Sequence, residues 1–260
     1  MLVSDIMQSP VYVAGSTETV ARARNMMLRH KISRVPIIQG EHLVGIVTEK
    51  DIGYRLLHAY SASTGKMDQA LLHTIMTPDP ICVAPDCSVR DATALMMSQN
   101  ISSLIVIMQG AVCGMVTKTD LLRSHLTRKL LRPAKKIMHE PVYVDASHSL
   151  DHVIEQVKQK GPVLVRSSDK SGAVMGVVTE RSLAFFESRK GSDSSARKEK
   201  ERPCAADVVG KDLITCESST QISEVTSMLI ENSSICAFLT HKDQIVGRIT
   251  REDILKEVLR

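Results

Sequence analysis

The chain is predicted to be an α/β protein built from four copies of one strand–helix–strand–strand–helix unit. Three observations predict this. A glycine-led strand ending in threonine recurs as Gly45-Ile46-Val47-Thr48, Gly114-Met115-Val116-Thr117, Gly176-Val177-Val178-Thr179 and Gly247-Arg248-Ile249-Thr250. The glycines stand 69, 62 and 71 residues apart, the spacing of a repeated structural unit. Ahead of each lies an amphipathic helical stretch, so the period-2 and period-3.6 patterns alternate in the same order each time. A unit of roughly 60 residues is marginal alone, so the 260 residues should form paired units that share cores.

Each unit opens on a short alternating strand: Val11-Tyr12-Val13, Ile81-Cys82-Val83, Val142-Tyr143-Val144 and Leu213-Ile214-Thr215. Alternation places every second side chain on one face, as a half-buried strand requires. The helix that follows carries an apolar stripe: Val20, Ala23, Met27 and Leu28 in copy one, and Val89, Ala92, Leu95 and Met96 in copy two. Val153, Ile154 and Val157 do this in copy three, and Ile222, Val225, Met228 and Leu229 in copy four. Ser88-Val89-Arg90-Asp91 has the form of a capping box. The methionines read as core filler. A second strand follows: Val35–Ile38, Leu104–Ile107, Val163–Val165 or Cys236–Leu239. After a polar turn comes the glycine-led strand, and then a second helix. Asp51, Asp120, Ser182 and Asp253 each stand three residues past the threonine. A carboxylate there suits the positive end of a helix, so simple capping is one reading of the three aspartates.

The units are placed at 1–57, 71–126, 133–188 and 204–260. Residues 189–203 are expected to be a mobile charged linker, since 189–202 lack any apolar period. Residues 57–70 form a milder linker. The leucines of 121–132 predict an amphipathic helix that ends before Pro133 and joins the two halves.

Net charge is +4, placed unevenly: +6 in residues 118–136, +3 in 189–202, and −5 over the remainder. The repeat bodies are therefore mildly acidic, which is not the footprint of a dedicated nucleic-acid binder. With no Trp and three Phe, the chain also lacks an aromatic platform for single strands. Six cysteines without a Cys-x-x-Cys pair point to a reducing cytoplasmic setting. No signal peptide or membrane-spanning run is expected.

Several marks together resemble the cystathionine-β-synthase (CBS) domain family. Asp5-Ile6-Met7, Thr74-Ile75-Met76 and Lys136-Ile137-Met138 precede the first strand of three copies, Ser33-Arg34-Val35-Pro36-Ile37 looks like a second-strand entry, and the Gly-x-aliphatic-Thr-x-x-Asp element recurs. The resemblance covers nearly the whole chain. It implies CBS repeats paired into two Bateman modules with pseudo-two-fold symmetry, similar to the gamma subunit of AMP-activated protein kinase and to stand-alone four-copy prokaryotic proteins. It further implies a regulatory, non-enzymatic protein that binds an adenosine-containing ligand (AMP, ADP or ATP, with an S-adenosylmethionine type as the alternative) and no prosthetic group. The partner would be a separately encoded effector enzyme or transporter, and homodimers are compatible with the family.

The residue types suit such a ligand. An ionised carboxylate only accepts, so it can hold both hydroxyls of a ribose. The expected binding residues are Thr48 with Asp51, Thr117 with Asp120, and Thr250 with Asp253. A helix N-terminus beneath them favours an anion. Val35, Leu104 and the segment after each Ile-Met, Thr77 included, are expected to line an adenine slot. Arg34 offers a bidentate fork for phosphate, or is a solvated strand-entry residue. Copy three has Ser182 and is expected to be weak or empty. Copy four keeps Asp253, but Val208-Val209-Gly210 replaces Ile-Met and Arg248 enters an apolar strand, so its slot is doubtful. The first module, roughly 1–130, is the expected place for ligand.

His148 and His152 share a helix face but lack the third ligand and shell a metal needs. No catalytic motif occurs in the chain. The functional classes left are a ligand sensor, a nucleic-acid-associated protein acting through the basic connectors, and a scaffold with vestigial sites.

Overall fold

The computed structural model describes residues 1–54, 67–124, 130–169, 171–186, 203–211 and 213–260. The linker expected at 189–203, Pro203 excepted, and most of that at 57–70 lie outside these residues. Polar caps start three of the four long helices. Thr19 Oγ1 accepts from the Arg22 N–H at 3.3 Å, Ser88 Oγ from Asp91 at 3.0 Å, and Ser149 Oγ from His152 at 3.3 Å. The helices run Val20–His30, Val89–Ser98, Leu150–Lys160 and Ile222–Glu231, the last without a side-chain cap. Their buried faces follow the 3.6 period, with Met27 and Met96 fully buried, but Leu28 turns outward.

Each copy then folds into an antiparallel hairpin. The pairs are Arg34–Gln39 with His42–Thr48, Ser103–Met108 with Ala111–Thr117, Val163–Arg166 with Val174–Val178, and Cys236–His241 with Gln244–Thr250. A short strand adds in parallel to the first strand of each hairpin. These strands are Ala14–Gly15, Cys82–Val83, Tyr143–Asp145 and Thr215–Glu217, so three lie later than alternation predicts and the second loses its first residue. Ladder pairing decides the boundary: Ala14 pairs with Ile37, whereas 11–13 have no ladder partner among the described residues.

The predicted 121–132 helix is also corrected. Helix Lys118–Arg123 ends at Ser124, residues 125–129 are outside the described set, and 130–132 are not helical. Instead the carbonyls of Leu130 and Arg132 accept from the backbone N–H groups of Ser223 and Ile222.

The segment ahead of each copy, here called its leader, does not stay with that copy. Leader two forms strand Thr77–Pro78, which pairs antiparallel with the glycine-led strand of copy one. Leader one bridges from Gln8 to Met115 of copy two, leader three from His139 to Arg248 of copy four, and leader four from Gly210 to Val177 of copy three. Copies one and two thus exchange leaders, and so do copies three and four. The repeated glycines make this contact. A Cβ on Gly45, Gly114 or Gly247 would run into the Sδ of Met76, Met7 or Met138.

Contacts divide the chain into two compact units. Unit 1 comprises Met1–Val11, Pro80–Pro141 and Leu213–Arg260, and unit 2 comprises Tyr12–Asp79 and Val142–Asp212. Unit 1 holds the bodies of copies two and four around one apolar core, and unit 2 those of copies one and three around another. Every leader contact described above lies inside one unit. Among the described residues, no helix is long and apolar enough to cross a membrane.

Candidate functional site

The site is built where the glycine-led strand meets the second helix. Each threonine leaves its strand in extended geometry and caps the helix, and the residue three positions on returns the bond. Asp51 Oδ2 accepts from the Thr48 N–H at 2.8 Å and the Thr48 hydroxyl at 2.7 Å. Asp120 Oδ2 accepts from Thr117 at 2.9 and 2.6 Å, and Asp253 Oδ2 from Thr250 at 2.8 and 2.7 Å. All three predicted Thr/Asp pairs are therefore assembled, and the capping role is real. It consumes only one carboxylate oxygen, so Oδ1 remains to meet something else. Burial pushes the Asp51 carboxyl upward, against the opposing pull of its Thr48 bonds.

What faces Oδ1 comes from the exchanged leader. Gln8 Nε2 donates to Asp120 Oδ1 at 3.0 Å. His139 Nε2 lies 3.0 Å from Asp253 Oδ1. Thr77 occupies the matching position, opposite Ile46, as Gln8 is opposite Met115 and His139 opposite Arg248. Asp51 Oδ1 has no hydrogen-bond partner among the described residues. Sequence reasoning named Thr77 and placed the segment after each Ile-Met at the site, but did not single out Gln8 and His139. The signal was present, because both follow an Ile-Met pair just as Thr77 does.

Copy three is different. Ser182 Oγ accepts from the Thr179 N–H at 2.9 Å, which keeps the cap but leaves no second oxygen. Gly210 packs against it, supplying no side chain at the leader position. The altered leader Val208-Val209-Gly210 thus belongs to the copy-three site, not to copy four as expected from its place in the sequence. Copy four receives the intact Lys136-Ile137-Met138 leader. Arg248 remains its anomaly, standing where the other copies place Ile46, Met115 and Val177.

Arg34 pairs in register with Thr48, on the strand beside it, and its Nε and Nη2 both approach Ser33 Oγ. Directly opposed residues share a sheet face, so Arg34 and Thr48 stand on one face of the sheet. The register positions opposite Thr117 and Thr250 carry Ser103 and Cys236, so copy one has a cation that copies two and four lack there. Val35 and Leu104 are corrected. They pair with Val47 and Val116, point inward, and are fully buried in the two cores. They back the site without offering surface to a ligand.

An open cavity of about 510 Å³ adjoins Asp120, with Gln8, Asp5, Arg123 and Ser124 around it. Among the described residues, no group of three or more metal-ligating side chains is assembled; His148 and His152 meet edge-on instead. The six cysteines are free thiols.

A family model for the CBS domain matches residues 3–57, 72–126, 134–188 and 205–260. The chain belongs to the CBS domain family. Over 111 residues the chain is 36% identical to inosine-5'-monophosphate dehydrogenase of Korarchaeum cryptofilum. That match takes in 42% of this chain but only 21% of the dehydrogenase. The CBS domain-containing protein YhcV of Bacillus subtilis is 24% identical over 142 residues, 54% of this chain and 98% of that one. In three dimensions the CBS chain resembles a Methanocaldococcus jannaschii protein described as a candidate archaeal homologue of γ-AMPK. The TM-score is 0.82 over 99% of both chains at 18% identity, a likeness of fold.

Proposed function

We propose that this CBS protein is a regulatory, non-enzymatic sensor of an adenosine-containing ligand, with AMP, ADP or ATP favoured over an S-adenosyl compound. One observation carries the reading. Three helix N-termini present a Thr-held aspartate whose second oxygen points away from the cap. Such an oxygen accepts from a sugar hydroxyl, and the helix end beneath favours an anion. Arg34 beside Thr48 favours a ligand that also carries phosphate. Regulation would follow from a ligand that binds two arrangements of the protein unequally, with the effector a separate enzyme or transporter.

Calorimetry of the full chain with AMP, ADP, ATP and S-adenosylmethionine tests this. Saturable binding of an adenine nucleotide is expected, weakened about 10- to 100-fold when Asp51→Ala and Asp120→Ala are combined, the loss expected for a charge-assisted hydrogen bond. No heat from any of the four compounds, with nucleic-acid binding that weakens steeply in salt, would transfer the function to the basic connectors. Silence in both assays would leave a scaffold.

A further inference from the structure

We propose that the leader residue sets which aspartate is open to ligand: Gln8 and His139 act as built-in plugs on Asp120 and Asp253, while Asp51 stands open. This rests on the adenosine reading above and deepens it. The observations are independent of the capping box. In all three copies Oδ2 is spent on the threonine. In copies two and four Oδ1 is spent as well, each at 3.0 Å, on a side chain delivered by the neighbouring copy's leader. The register is shared: Gln8, Thr77, His139 and Gly210 stand opposite Met115, Ile46, Arg248 and Val177, each the residue after the repeated glycine. Chain geometry therefore offers one position per site, and side-chain chemistry decides what happens there. Glutamine and histidine reach the carboxylate; threonine is too short to be found bonded to it, and glycine has nothing to offer.

A diol that is to be held by Asp120 or Asp253 must first displace an intrachain donor. At Asp51 it need not. Arg34 adds its charge at that same copy. The plugs are removable, because Gln8 is exposed and the His139 side chain is 63% exposed, so neither is locked by packing. The open cavity beside Asp120 gives a displaced Gln8 somewhere to go. The four sites are thus graded: Asp51 open, Asp120 and Asp253 plugged, and the Ser182 site without an acceptor pair. A graded set responds over a wider range of ligand concentration than four equal sites.

The test is titration calorimetry of the full chain with AMP. The variants are Asp51→Ala, Gln8→Ala with Asp51→Ala, and His139→Ala with Asp51→Ala, each checked for an unchanged melting transition. The tightest wild-type site should vanish with Asp51→Ala. In that background, Gln8→Ala and His139→Ala should each tighten a remaining site roughly tenfold, the value of one hydrogen bond to a charged group. A further binding event that Asp51→Ala lacks and a plug-removed variant regains would also support the plugs. AMP binding by the wild type that ignores Asp51→Ala, or that weakens with Gln8→Ala and His139→Ala, overturns the proposal and leaves the sensor reading intact. No AMP binding by any variant overturns both.

Discussion

Gly176→Ala is expected to destabilise the protein by about 3–5 kcal/mol, from overpacking and broken backbone bonds together. Gly176 has φ +154° and sits where leader four crosses copy three. A Cβ there would meet the Gly210 carbonyl oxygen and lie 3.0 Å from Val209 Cγ2. The carbonyl cannot move cheaply, because Val177 N–H donates to it at 3.0 Å and Gly210 N–H returns to Val177 O at 2.8 Å. Copy two provides the control. At Gly114 the obstacle is the end of the Met7 side chain, and methionine adapts through three rotatable bonds, so Gly114→Ala should cost about 1–2 kcal/mol. Urea unfolding of both variants reads the difference. Equal losses would mean that the backbone contact at Gly210 is not the reason glycine is needed. Copy three lacks the carboxylate, so AMP binding to Asp51 below the unfolding transition should be unchanged in Gly176→Ala.

The same glycines show what could be read from the sequence. Their recurrence with Thr and Asp was legible because the Thr/Asp bond is local, three residues along one helix start. The four hairpins were legible for the same reason, as were the helix caps at Ser88, Asp51, Asp120 and Asp253. The reason for the glycine was not legible, because the methionine it accommodates comes from a different copy. Leader exchange also moved the Val208-Val209-Gly210 change from copy four to copy three, and it hid which aspartates Gln8 and His139 face. Val35 and Leu104 were misread because the choice between the two faces of a strand rests on its tertiary partner. The first strands were misplaced because two- or three-residue ladders are set by register, not by local alternation.

Charge placement at the helix starts carries a further pairing rule. In unit 2 the residue after the threonine is Glu49, and its partner two past the other threonine is Arg181. In unit 1 the same positions hold Lys118 and Glu252, 3.1 Å apart, with the signs reversed. Exchanging partners would set Glu49 against Glu252 and Lys118 against Arg181, like against like. The inversion therefore favours copy one with three and copy two with four, specificity by repulsion as well as attraction.

Glu49 is buried deeply enough for this to depend on pH. Desolvation raises its carboxyl from 4.5 to about 7, against the opposing attraction of Arg181 and Arg34. Arg181 is half-exposed, so water screens its pull and burial wins. In the unfolded chain Glu49 gives up its proton near the ordinary value, while the folded chain holds it. Its favourable contribution is thus complete below about pH 4.5, declines as pH rises, and is gone above about pH 7. At about 1.4 kcal/mol per pH unit, that interval corresponds to a loss of about 3–4 kcal/mol. Glu49→Gln keeps an acceptor for Arg181 but has no proton to lose. Between pH 5 and pH 8 the wild-type urea midpoint should fall further than that of Glu49→Gln, the gap measuring this one group. Parallel pH profiles would show that Glu49 is ionised throughout and that the Arg181 pair, not burial, governs it.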